Sequence, residues 1–294
     1  MNVSADQIKN RDVAAIIVTY NPKFTRFRNV LSSAANQVKH VVIVDNGSVN
    51  NHLIKSLCEE LHNCIFIEVG SNSGIAHALK IGVQTVSKYN PEWILLLDDD
   101  TILLNNALNK AVDIINSLPS RVIQRIGAVL LGSSGFTCKV RECRYGVFSG
   151  TLIRTEIALR TCCRDDFFLD QADHDMYSRI RGLGLITLII ECKLVDHKLG
   201  RQMWIPIISH RLHKPVSYEP PWRYYYIVRN STRLLVEGKM DVVFYINQLI
   251  YWGIRILLKD GIRAFIKPLA LGLVHGLVNS LGYLNPEVFK NSSS

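Results

Sequence analysis

An α/β fold with a mainly parallel central sheet flanked by helices is what this sequence predicts, and three observations carry it. Short apolar runs alternate with longer helical stretches through the first third of the chain. The runs are continuously apolar, as strands buried on both faces are. Each run ends in small, polar or acidic residues, and open parallel sheets bind ligands beyond the carboxyl ends of their strands.

The elements follow in order. Val13–Thr19 (VAAIIVT) reads as a buried strand ending in YNP, and a helical stretch runs from Thr25 to Asn36. Val41–Val44 (VVIV) is the second strand, ending in DNGS, and another helical stretch continues through Leu61. Cys64–Val69 (CIFIEV) is the third, ending in GSNSG, with a helix from Ile75 to Lys88. Trp93–Leu97 is the fourth, and it ends on Asp98, Asp99 and Asp100. Four tips (TYN, DNGS, SNSG and DDD) therefore gather at one sheet edge and form a site. Beyond residue 105 the pattern is less regular. IGAVLLG and GVFSGTLIR read as strand-like, and Leu185–Val195 as one or two strands. PVSYEPPWRYYYIVRN marks a change of character, and amphipathic helices follow it.

The chain has 294 residues, 48% of them apolar, which is enough to bury a large core. The net charge of +9 suits an anionic partner: nucleic acid, a membrane surface or a phosphorylated substrate. Seven cysteines are scattered without a C-x-x-C pair, and Cys162 and Cys163 are adjacent. This reads as reduced thiols in a cytosolic protein, with neither a disulfide framework nor a zinc site. The first residues read as lacking a secretion signal. The segment from Pro268 to Leu284 is too polar to span a bilayer and reads as packed or interfacial.

Three adjacent carboxylates repel one another, and a divalent cation offsets that repulsion. In an extended segment Asp98 and Asp100 face one side and Asp99 the other. An oxygen pair of this kind suits Mg²⁺ or Mn²⁺ with nucleotide phosphates filling other positions. There is no G-x-G-x-x-G fingerprint and no G-x-x-x-x-G-K-[ST] loop, so neither a dinucleotide fold nor a P-loop is indicated.

AAIIVTYNP, VVIVDNGS, SNSGIAHALKIGV and WILLLDDDT, in this order and spacing, resemble the nucleotide-sugar-binding half of family 2 glycosyltransferases, which have the GT-A fold. The resemblance makes Asp98 and Asp100 the acids of a D-x-D metal motif. It implies that Thr19, Tyr20, Asn21, Asp45, Asn72, Gly74, Asp98 and Asp99 bind the nucleotide-sugar, with Tyr20 and Asp45 at the base. FFLDQADHDMYSRIRGLG resembles the family's second acidic segment, with Asp173 as catalytic base and Asp175 as its companion. Asp170 is a rival for the base, and Ala172 stands where the family often has Glu. Arg179 or Arg181 is implied at phosphate, and His197 of VDHKLG at the metal or diphosphate. WRYYYIVRN resembles the rhamnosyltransferase-like branch, where Arg223 or Arg229 could reach an anionic acceptor.

The implied enzyme is inverting and metal-dependent. It moves L-rhamnose from dTDP-L-rhamnose, or a hexose or galactofuranose from a UDP donor, onto a polyprenyl-diphosphate-linked saccharide in cell-surface polysaccharide synthesis. Arg255, Lys259, Arg263 and Lys267 recur at four-residue steps, close to one face of a helix and among apolar residues, which suits an anionic membrane surface. The expectation is a cytoplasmic protein held peripherally at the inner face of the membrane. Residues 1–215 form the catalytic domain, with a nucleotide half to about 104 and an acceptor half beyond it, and residues 216–294 a helical extension. A nucleotidyltransferase would need a glycine- and basic-rich loop after the first strand, and TYNPKF has no glycine. A nucleic-acid-binding protein would not place acids at its strand tips.

Overall fold

A computed structural model describes residues 13–197 and 200–289. The strands are β1 (Val13–Thr19), β2 (His40–Asp45), β3 (Cys64–Glu68), β4 (Trp93–Asp98), β5 (Ile102–Leu103), β6 (Ile126–Leu131), β7 (Val140–Glu142), β8 (Thr151–Arg154), β9 (Ile186–Ile190), β10 (Val195–Asp196), β11 (Arg201–Met203) and β12 (Val216–Tyr218). The helices are α1 (Phe24–Ala35), α2 (Asn51–Glu59), α3 (Ile75–Val86), α4 (Ala107–Asn116), α5 (Ser120–Ile123), α6 (Thr155–Thr161), α7 (Ala172–Gly182), α8 (Pro206–Leu212), α9 (Pro221–Val236), α10 (Val242–Asp260) and α11 (Ile262–Leu277).

The described residues divide into two compact units. The first, 13–164 with 176–197, is built on an eight-stranded sheet in the order β3-β2-β1-β4-β8-β6-β9-β7. Strands β3, β2, β1 and β4 are parallel, with Thr19 beside Asp45, Asp45 beside Glu68 and Val18 beside Asp98. That register lines the four tips along one edge. The far side is mixed: β8 runs antiparallel to β4 and β6, and β7 antiparallel to β9. Every residue of β1 is buried, because helices cover both faces of the sheet. Each such aliphatic side chain contributes about 1.5–3 kcal/mol.

The second unit, 165–175 with 200–289, holds the β11–β12 hairpin and α8 to α11. Its core brings together Ile205, Val216, Tyr224, Ile227, Val228, Trp252 and Ile256. The boundary drawn after residue 215 from sequence falls inside this unit.

Two expectations are corrected. The fold brings cysteine sulfurs to bonding distance, pairing Cys58 with Cys64, Cys138 with Cys192, and Cys162 with its neighbour Cys163, while Cys143 is free and buried. The sequence spacing hid the first two pairs because secondary structure makes them. The end of α2 returns beside the start of β3, and Cys138 and Cys192 flank the antiparallel β7–β9 ladder. The basic stripe also does not lie on one helix. Gly261, at φ 87°, ends α10, so Arg255 and Lys259 lie on α10 and Arg263 and Lys267 on α11. Among the described residues no helix is long and apolar enough to cross a membrane.

Candidate active site

The strand tips of the first unit are tied to one another. Asp45 is fully buried: its Oδ1 accepts from the Thr19 hydroxyl at 2.8 Å and its Oδ2 from the Ser48 amide at 3.0 Å. Asn21 donates its amide to Ser48 Oγ at 2.8 Å and accepts from the Val49 amide at 2.9 Å. Asn46 Oδ1 accepts from the amide and hydroxyl of Ser73, and Asn46 donates to Asn72 Oδ1 at 3.1 Å. The same Asn72 oxygen accepts from the Gly74 amide at 3.1 Å. The tips of β1, β2 and β3 thus form one polar shelf, with Tyr20 exposed on it. Asp45, expected at the base, is a brace inside the shelf and presents no exposed surface.

Gly47 is needed where the shelf is tightest. Its φ is +86°, and a Cβ there would stand 2.7 Å from the backbone of Ser71. Gly47→Ala is expected to cost about 2 kcal/mol or more, since a left-handed residue alone costs roughly 1–2 kcal/mol. A thermal melt reads this as a fall of about 4–8 °C.

The strand ends at Asp98, and Asp99 and Asp100 lie in a turn closed by the Thr101 amide on the Asp98 carbonyl at 3.3 Å, so a turn and not strand alternation separates the three carboxylates. Asp99 turns toward β1 and accepts from the Tyr20 amide at 3.2 Å. Asp98, Asp100 and His197 each offer a ligand atom, and these atoms lie within 4.8 Å of one another. His197 arrives because β5, just after the aspartates, pairs with β10, just before the histidine. A chain of hydrogen bonds locks the corner. The Asp98 amide donates to Ser149 Oγ (2.9 Å), which meets Thr101 Oγ1 (2.6 Å), which meets His197 Nδ1 (2.7 Å), and that nitrogen stands 3.3 Å from Asp100 Oδ1. Arg26 of α1 donates to the carbonyls of Asp100 and Asp196 at 2.8 and 2.7 Å and pairs with the Asp196 carboxylate at 2.8 Å.

The electrostatics follow from burial and crowding. Burial, opposed by the Tyr20 amide and reinforced by the flanking Asp98 and Asp100, pushes the Asp99 carboxyl up to about 7. Burial acts the same way on Asp100, but the hydrogen bond from His197, its charge and that of Arg26 prevail and hold it below the usual range. Burial works against charge on His197, yet the bond to Asp100 and the two carboxylates raise its pKa. Two carboxylate oxygens and an imidazole nitrogen at this spacing fit Mg²⁺ or Mn²⁺.

Arg26, Thr101 and Ser149 were not singled out from sequence. Thr101 closes the DDDT run, which was a usable signal. Arg26 and Ser149 carry no local pattern that marks them.

The second acidic segment lies at the start of α7 and, for residues 165–175, in the second unit. Asp173 is partly exposed, its side chain at 20%, and its Oδ1 accepts from the His174 amide at 2.8 Å. Its expected companion Asp175 is different: the side chain is wholly buried and accepts from Lys239 Nζ at 2.7 Å. Asp175 thus forms the anionic half of a buried ion pair. Asp170, the rival base, is held by Arg223 at 3.0–3.2 Å.

The arginines divide in the same way. Arg223 pairs with Asp170 and with Glu219 at 3.0 Å. Arg229 is buried against the rings of Tyr225 and Tyr226 and donates to the Gly282 carbonyl at 2.8 Å. Neither is poised for an anionic acceptor; of the WRYYYIVRN aromatics, Tyr224, Tyr225 and Tyr226 are core and Trp222 is half-buried. Arg181 packs on Tyr145 and donates to the Arg144 carbonyl, whereas Arg179 lies half-buried on α7.

The sheet order and the helices around it have counterparts in solved structures with the GT-A fold, and that fold is what the architecture defines. The crystal structure of GalNAc-T7 with UDP, GalNAc and Mn²⁺ matches with a TM-score of 0.54 at 13% identity, over 63% of this chain and 43% of that one. The crystal structure of S. aureus TarS 1-349 matches at 0.52 and 14%, over 88% of this chain and 82% of that one. Residues 14–133 match the model described as Glycosyl transferase family 2. Over that stretch, which holds the four strand tips and the three adjacent aspartates, the chain is similar to family 2 glycosyltransferases. It is also 24% identical over 267 residues to the dTDP-rhamnosyl transferase RfbF of Shigella flexneri, covering 82% of this chain and 86% of that protein.

Proposed function

We propose that this protein transfers L-rhamnose from dTDP-L-rhamnose to a lipid-linked saccharide, by a single displacement that inverts the anomeric carbon. The observation that carries the reading is the convergence of Asp98, Asp100 and His197 beside the polar shelf of strand tips. The likeness to a dTDP-rhamnosyl transferase across most of both chains supports the choice of sugar.

In this reading the shelf formed by Thr19, Tyr20, Asn21, Asn72 and Gly74 receives the nucleoside, with Tyr20 against the base and Asp45 bracing from below. Asp98, Asp100 and His197 would hold Mn²⁺ or Mg²⁺, which when bound supplies positive charge to a departing diphosphate. Asp99 orients the Tyr20 peptide toward the donor. Asp173 takes the proton of the attacking acceptor hydroxyl as the bond to the sugar forms. Arg179 is assigned to phosphate. With Asp170 paired to Arg223 and Asp175 to Lys239, the reading uses one carboxylate as base and a single displacement.

A thermal-shift screen with dTDP, UDP and GDP, each with Mn²⁺ or Mg²⁺, tests the donor, because a ligand of the native state raises its apparent stability. Stabilisation by dTDP above the others supports rhamnose. A response to UDP alone would move the reading to a UDP-hexose or UDP-galactofuranose donor.

The lipid-linked acceptor of this reading calls for contact with an anionic membrane surface. Support comes from α10, whose exposed side carries Val243, Ile246, Ile250, Ile254, Leu257 and Leu258, continuing past the Gly261 break to Ile262 and Ile266 on α11. Apolar ridges of this extent mark membrane or protein contacts. Between residues 242 and 277 there are four Arg or Lys and one acid, Asp260, which accepts from the Tyr218 hydroxyl at 2.7 Å. A two-fold contact between copies would oppose these cations, whereas anionic headgroups complement them. The wild type is expected to float with phosphatidylglycerol vesicles at low salt. Ile250→Glu with Ile254→Glu should remain in the pellet fraction while melting normally. Equal flotation of the two proteins would refute the assignment.

A further inference from the structure

The proposed base stands at the end of an unusual corner. Asp170 and Gln171, neither of them glycine, both adopt left-handed backbone, at φ 60° and 66°. Consecutive left-handed residues with side chains persist only where surrounding contacts over-determine them. The corner leads directly into α7, whose first turn carries Asp173.

One face of α9 supplies those contacts. Arg223 and Asn230 lie about two turns apart on that helix and so share a face. Arg223 grips the Asp170 carboxylate through Nε and Nη2 at 3.0–3.2 Å. Its Nη1 reaches Glu219 at 3.0 Å, so the guanidinium is itself held from the other side. Asn230, fully buried, donates its amide to the Leu169 carbonyl at 2.7 Å and to the Asp170 carbonyl at 3.0 Å. The direction of that amide is fixed in turn, because its Oδ1 accepts from Arg229 Nε at 2.9 Å. The corner is thus clamped by its side chain and by two successive carbonyls, all from one rigid helix. A fork of this kind specifies orientation as well as charge, which a lysine would not do.

We propose that Arg223 and Asn230 are positioning residues for Asp173: they hold the left-handed 169–171 corner and thereby set where the base carboxylate stands. The inference rests on the reading of Asp173 as base. It gives the Arg and the Asn of WRYYYIVRN one task in place of direct contact with an acceptor.

The test uses the full chain, with dTDP release from dTDP-L-rhamnose measured in the presence of a lipid extract as acceptor source. Arg223→Met and Asn230→Ala are expected to lower kcat per folded molecule by about 10–100-fold, the loss that a misplaced catalytic group of about 1 Å produces. The donor KM should stay within about twofold, and the acidic limb of the pH–rate profile, which reports the base, should move. Arg223→Lys, which keeps the charge without the fork, should recover only part of the rate and serves if Arg223→Met fails to fold. Arg233→Gln, which removes a pair with Glu237 on the same helix, should keep kcat within about twofold. A lowered melting temperature with unchanged kcat and pH profile in the Arg223 and Asn230 variants would overturn the proposal while leaving the base assignment intact. Normal turnover by Asp173→Asn would remove the base assignment, and the positioning role with it.

Discussion

Asp173→Asn is expected to transfer sugar at about one-hundredth to one ten-thousandth of the wild-type rate, the range in which a positioned general base acts. The substitution keeps the shape and the bond from the His174 amide and removes only the ability to take a proton. Donor binding should therefore survive, and dTDP should raise the melting temperature of the variant as it does that of the wild type. Asp175→Asn makes the contrast. That carboxylate is buried against Lys239, and breaking such a pair costs about 3–5 kcal/mol of stability. The expected signature is a large fall in melting temperature, with turnover per folded molecule largely retained. If Asp175→Asn instead lost activity with no loss of stability, the two roles would have to be exchanged.

Removing the divalent ion is the second large effect. Treatment with EDTA, or Asp98→Ala with Asp100→Ala, should lower transfer by about 10²–10³-fold or more, the loss seen when stabilisation of a developing charge is withdrawn. The two treatments separate on adding back metal: Mn²⁺ should restore the EDTA-treated protein and not the double variant. Calorimetry with Mn²⁺ alone reads binding without any assay of transfer. His197→Ala should weaken that binding and leave the shelf in place, because the ties among Asn21, Ser48, Asn46 and Asn72 do not pass through the histidine. Full turnover in EDTA would refute the metal assignment.

The legible part of this molecule is the part whose signals are local. Four strands and the helices between them were readable because buried parallel strands need unbroken apolar runs, and their tips need turn residues. The D-x-D pair stood out for the same reason, since three carboxylates directly after Leu97 have no use in a core. The rest was hidden by distance along the chain. The β5–β10 ladder has two residues on each side and no pattern of its own, yet it delivers His197 to Asp100. Arg26 looks like any surface arginine of α1 until it meets Asp196. Asp170, Asp173 and Asp175 are equivalent acids in a sequence, and only burial and partners tell them apart. The four-residue spacing of Arg255 to Lys267 suggested one helix because spacing does not register a glycine that takes a positive φ.

The hydrogen bond between Thr101 and His197 spans 96 residues. During synthesis the ribosome extends a chain by roughly 5–20 residues per second. A nascent chain that has released its aspartate triplet therefore waits about 5–20 seconds before the imidazole is even made. Through that interval the first four strands and their helices can form, but the corner proposed to hold the ion lacks one of its three side chains. On the proposed reading, competence for catalysis is tied to a late, long-range closure, and prematurely ended translation products are expected to be folded in part yet inert.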